Sequence, residues 1–124
     1  TMMELAGIDF EATEFSGRSI TSIMRNDGDP VRTSDDHLGI EIWGRRAIKV
    51  GNWKAVRMPK PLGDDQWMLF DLDADPGEQH NLASDKPEML AQLERAWEKY
   101  STDNNVVLPE GPFRILPPEP LPVE

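Results

Sequence analysis

Apolar and polar positions alternate most cleanly from Leu38 onward, where Leu38, Ile40 and Ile42 interleave with Gly39, Glu41 and Trp43. That is the period of a strand with one face turned inward, so this triplet is read as the buried face and Trp43 as pointing away from it. A second run puts Arg46, Ile48 and Val50 on one face and ends at Gly51-Asn52, a dipeptide that tolerates the backbone angles of a two-residue hairpin turn. Trp53 to Met58 returns from that turn, and Trp67 to Leu72 supplies a further strand with Met68, Phe70 and Leu72 sharing a face. Connections this short exclude parallel crossovers, so the sheet is antiparallel. The period then lengthens: Leu90, Leu93, Trp97 and Tyr100 recur at spacings of three and four, with Gln92, Glu94, Arg95, Glu98 and Lys99 between them. Such a stripe lets one side of a helix pack on a sheet. Asp85 and Glu88 precede it as a capping box with Asp85 as cap, and Pro87 falls in the first turn, where its missing N–H costs little. The predicted fold class is α+β, a small antiparallel sheet of about four strands with one long helix packed across it.

The flanks follow other rules. Residues 1–36 begin with a helical turn, TMMELAG, closed by Gly7, and a short helix is predicted near Ser19 to Met24. The rest of that stretch shows no sustained period and reads as a loop-rich connector with Gly17, Gly28 and Pro30. Residues 37–105 form the α+β unit. Residues 106–124 hold six prolines, which exclude regular helix or inner strand and predict an extended proline-rich arm.

Composition narrows the function classes. A length of 124 residues suits one domain, and 38% hydrophobic residues allow a modest core. The net charge of -10 argues against nucleic-acid binding, which needs Lys and Arg gathered on one surface. No apolar run approaches the roughly 20 residues that cross a bilayer, so no membrane partner is expected. The charge is uneven: Leu38 to Met58 carries Arg45, Arg46, Lys49, Lys54 and Arg57 against Glu41, while the next segment, to Asn81, carries six acids against Lys60. Neighbouring segments of opposite sign account for each other as ion pairs, although a guanidinium at Arg45 or Arg46 also suits a sulfate or phosphate group.

Most candidate chemistry is absent. There is no cysteine, and His37 and His80 lie too far apart for ligand spacing, so neither a zinc site nor a thiol nucleophile is expected. Asp71, Asp73 and Asp75 superficially suggest a calcium loop, but Pro76 stands where such a loop needs Gly and Leu82 where it needs Glu. These carboxylates read instead as turn formers around Asp75-Pro76-Gly77.

The order of segments TMMELAGIDF, GRSI, GRRAIKVGNWKAV, WMLFDLDADPGEQHNLA and PEMLAQLERAWEKY resembles the C-terminal subdomain of type I sulfatases, most closely bacterial arylsulfatases of the alkaline-phosphatase-like superfamily. It covers roughly residues 1–105. The resemblance implies a sulfuric ester hydrolase as parent, with TMMELAGI as the tail of its large catalytic domain. It also implies a formylglycine and a calcium ion in that domain and none in this chain, which has no Cys or Ser in a Cys/Ser-x-Pro-x-Arg motif. Asp35-Asp36 is rejected as the family's metal-binding Asp pair because VRTS replaces the apolar strand that should precede it. No catalytic residue carries over. The resemblance places this subdomain near the active-site mouth, so His37, Glu41, Trp43 and Arg45 are the candidates for a substrate rim. The implied partners are the upstream catalytic domain and a small sulfate ester, with self-association of the isolated chain through exposed sheet surface. A free-standing interaction module and a related phosphonate or phosphodiester hydrolase are the alternatives.

Overall fold

The computed structural model describes residues 1–11, 15, 17–26, 28 and 31–110. They form two compact units, residues 1–36 and the remainder. The predicted proline-rich arm lies, from residue 111 onward, outside the described residues, as does Pro30.

The first unit contains two one-turn helices, α1 (Met2–Ala6) and α2 (Thr21–Arg25). Gly7 ends α1 at φ 66°, its N–H bonding to Glu4 O at 3.2 Å while the N–H of Ile8 reaches Met3 O at 3.0 Å, which closes the last turn. Neither helix buries a residue. Polar contacts hold this unit instead. The Glu4 carboxylate accepts from the hydroxyls of Ser19 and Thr21, and Asp36 accepts the forked guanidinium of Arg18 and the N–H of Thr33. Those bonds, led by Arg18, draw the Asp36 carboxyl down to about 2.

The second unit is a four-stranded antiparallel sheet, ordered β1-β2-β3-β4, with one long helix packed across it. The strands are β1 (His37–Ile42), β2 (Arg45–Val50), β3 (Trp53–Arg57) and β4 (Trp67–Asp71), and the helix is α3 (Pro87–Asp103). Gly39, Ile48, Ala55 and Leu69 align across the four strands. The last three are fully buried, and with Leu93, Ala96 and Trp97 of α3 they make the core. Burying each of Ile48, Leu69 and Leu93 contributes on the order of 1.5–3 kcal/mol. Trp97 stands edge-on to Trp67, with centroids 6.1 Å apart, and tilts against Tyr100 at 5.5 Å.

Two local expectations are corrected. The cap of α3 is Lys86, not Asp85, and it makes no side-chain cap bond. Pro87 occupies the first turn and keeps the residue before it out of the helical region, at φ -132° and ψ 61°. The Lys86 ammonium lies 5.6 Å over the Trp53 ring instead. The buried face of β1 is also reversed. The helix covers the Gly39 side, because the Tyr100 ring fills the space that a Gly39 side chain would take. Leu38, Ile40 and Ile42 therefore lie on the outer face and are 38%, 51% and 49% exposed. A strand with glycine at its centre can take an aromatic ring on what looks like its polar side.

Candidate functional site

The predicted rim residues all sit on the β1–β2 hairpin, where a two-residue turn, Trp43-Gly44, joins Ile42 to Arg45. Both turn residues have positive φ, 53° at Trp43 and 81° at Gly44, as a type I′ turn requires. Glycine takes that conformation freely. For an indole-bearing residue it is an outlier, and outliers of this kind concentrate at functional positions. Trp43 is also 62% exposed.

The turn is braced from several sides. Glu41 Oε1 accepts the Gly44 N–H at 2.7 Å, and the Gly44 carbonyl accepts from Arg46 Nε at 3.3 Å. Gly44 is itself buried, and a Cβ there would lie 3.2 Å from the Pro109 ring and 3.7 Å from that of Pro59. Arg46 pairs with Glu41 on one side and Arg57 on the other. Burial, and then repulsion from Arg57, pull its pKa down. Arg57 is held to Asp65 by a 2.9 Å bond, which raises the pKa of Arg57 and lowers that of Asp65.

The four candidates do not form one cluster. Glu41, Trp43 and Arg45 lie at the turn, whereas His37 starts β1 opposite Val50, about 16 Å of strand away. Within the turn group, Glu41 is on the helix side and Arg45 on the outer face beside Ile42. Glu41 acts as a brace, a role the sequence reading missed. The usable signal was a carboxylate three residues before the turn glycine, hidden because Trp-Gly is not a recognised turn dipeptide.

The acidic turn after β4 is built from side-chain to backbone bonds. Asp71 Oδ1 accepts from Asn52 Nδ2 at 2.8 Å and from the Asp73 N–H at 3.1 Å, and Asp75 Oδ2 accepts the His80 N–H at 2.8 Å. These bonds lower the pKa of both aspartates, through Asn52 first for Asp71 and the His80 amide first for Asp75. Lys54 reaches across to Glu78 at 2.6 Å, so the basic and acidic segments do meet as an ion pair. Among the described residues no group of three or more His, Asp or Glu side chains is placed to hold a metal ion.

No protein-family model matches the chain. An uncharacterized sulfatase of Schizosaccharomyces pombe is 36% identical over 121 residues, which cover 91% of this chain and 22% of that protein. Similar solved structures include i-CgsB in complex with a neocarrahexaose (TM-score 0.61, 24% identity, 82% of this chain and 22% of that one). A 2-O GAG sulfatase matches with TM-score 0.62 and 23% identity over 85% of this chain and 24% of its own. A protein from the glycosaminoglycan metabolism of Bacteroides thetaiotaomicron matches with TM-score 0.63 and 19% identity over 82% and 23%. At those identities the structural matches show a shared fold. The chain spans only about a fifth of the length of each relative. It is a sulfatase homologue, corresponding to a small part of a sulfatase chain.

Proposed function

We propose that the chain is the C-terminal α+β subdomain of an arylsulfatase-type sulfuric ester hydrolase, supporting a catalytic domain and carrying no catalytic group itself. The observation that carries this reading is the 36% identity to a sulfatase over 91% of the chain. The residues present do not fit a formylglycine or its calcium: there is no cysteine, no serine has proline two positions on, and no acidic or histidine cluster is placed for a cation among the described residues. Both groups belong, on this reading, to the catalytic domain. The outer face of the sheet, with Leu38, Ile40 and Ile42 half-exposed, is the surface on which that domain rests.

The braced turn at Glu41, Trp43 and Arg45 supplies the part of the substrate rim that this chain contributes. His37, at the far end of β1, does not share that site. The small sulfate ester is the substrate class to test first, with sulfated sugars next because of the structural relatives. The experiment is hydrolysis of 4-nitrophenyl sulfate and of a 4-nitrophenyl phosphodiester by the full-length protein that contains these residues. Sulfate release by that protein, with none from the 124-residue chain alone, supports the proposal. Turnover by the chain alone, or of the phosphodiester only, overturns it. Within an active full-length enzyme, Arg45→Ala and Trp43→Ala raise KM more than they lower kcat, and His37→Ala changes neither. Unchanged constants in the first two variants remove the turn from the rim.

A further inference from the structure

The 37–124 unit has two sheet edges, and they are finished differently. On β4 the Leu69 N–H bonds to Asn81 Oδ1 at 3.0 Å and the Leu69 carbonyl accepts the Leu82 N–H at 2.8 Å, so the following turn closes that edge. On β1 the turn geometry decides which groups face outward. Trp43 and Gly44 are consecutive and cannot pair, so Ile42 and Arg45 exchange both ladder bonds. By alternation Leu38 and Ile40 also direct their backbone groups to β2, and His37, Gly39 and Glu41 direct theirs off the sheet. Among the described residues no backbone bond reaches those three. Lysine, proline and bulges, three of the devices that blunt open edges, are missing from His37–Ile42, and its one carboxylate, Glu41, is bonded to the Gly44 N–H of its own hairpin.

We propose that this edge pairs antiparallel with the same edge of a second copy, about a two-fold axis at Gly39, joining two four-stranded sheets into one. The register follows from charge and hydrogen bonding together. With Gly39 opposite its counterpart, His37 stands across from Glu41 of the other copy and the reverse pair repeats it, so every outward backbone group finds a partner. Leu38 then lies beside the second copy's Ile40 on the outer face. A centre at Glu41 sets two carboxylates against each other, and a centre at His37 leaves Glu41 without a strand partner. Glycine at the axis brings the Tyr100 rings that cover both copies of Gly39 side by side. The outer apolar face remains open, so this pairing is compatible with a catalytic domain resting there and does not depend on the sulfatase reading.

The test is sedimentation equilibrium of the 124-residue chain up to about 1 mM, a concentration at which even weak pairing is populated. The expected result is a monomer–dimer equilibrium that His37→Glu weakens by about tenfold, since it creates two like-charge pairs. Val56→Lys, on the outer face of β3, leaves it unchanged. Hydrogen exchange provides a second readout: the amides of Gly39 and Glu41 gain protection as the dimer forms. A monomer throughout overturns the proposal. So does a dimer that responds to Val56→Lys and not to His37→Glu, or one in which those two amides exchange as fast as in the monomer.

Discussion

Replacing Gly39 by alanine tests which face of the sheet the helix covers, because the two possibilities predict opposite signs. A Cβ built on Gly39 falls 2.3 Å from Tyr100 Cδ1 and 2.4 Å from Cε1 and Cγ. Carbon atoms in contact sit at about 3.5–4.0 Å, so the ring must retreat by more than about 1 Å. It has little room to do so. The ring tilts against Trp97 with centroids 5.5 Å apart, and the backbone that carries it is held at the Tyr100 carbonyl, which accepts the Asn104 N–H at 3.1 Å and its Nδ2 at 2.8 Å. Overpacking of this kind costs about 1–3 kcal/mol. Without the ring, alanine in a strand interior would stabilise by roughly 0.5–1 kcal/mol, because glycine loses more backbone entropy on folding. Urea unfolding of Gly39→Ala and Tyr100→Ala singly and together measures both terms. Gly39→Ala is expected to destabilise in the native background and to be neutral or stabilising once Tyr100 is alanine. A stabilising single substitution that is additive with Tyr100→Ala refutes the packing described.

Four further outcomes follow from the packing and the charges. Leu93→Ala removes a side chain that is 1% exposed between sheet and helix and costs about 3 kcal/mol by chemical denaturation; a loss under about 1 kcal/mol means the core is elsewhere. The pair Lys54–Glu78 is partly exposed, and a double-mutant cycle gives a coupling of about 0.5 kcal/mol that shrinks in high salt. Asp65, Asp71 and Asp75 have folded pKa values below the unfolded 3.8, so their contribution is complete above that value and is lost as pH falls through the lower folded values. The stability these three carboxylates supply is therefore complete above about pH 5 and declines below about pH 4. Asn52→Ala, which removes the largest cause at Asp71, moves that carboxyl's NMR titration upward; an unmoved midpoint contradicts the assignment.

The sheet and helix were legible because their periods are long and their turns carry glycine. Val50 and Trp53 flank Gly51-Asn52 as read, and the Leu90/Leu93/Trp97/Tyr100 stripe does meet the sheet. What the pattern did not settle was which face of β1 lies inward. Alternation fixes two faces but does not label them, and here a glycine under an aromatic ring outweighs three aliphatic side chains. The cap of α3 was misplaced because a proline at the helix start sets the boundary more firmly than a capping-box spacing. The turn at Trp43-Gly44 was hidden because its first residue pays for positive φ with strain, and the carboxylate that braces it, Glu41, reads in sequence as a surface charge. The acidic turn was legible in its chemistry: Asp71 and Asp75 each bond a nearby amide, as short polar side chains beside Pro-Gly do, whereas Asp73 contributes its backbone N–H.

As proposed, this chain is one part of a larger sulfatase and joins the rest through the outer face of its sheet. Hydroxyl-radical footprinting of Leu38, Ile40, Ile42 and Met68 measures that directly, in the 124-residue chain and in the full-length protein that contains it. These side chains are predicted to react readily in the isolated chain and to be strongly protected in the full-length protein. Equal reactivity in both means that this face is not where the rest of the protein docks.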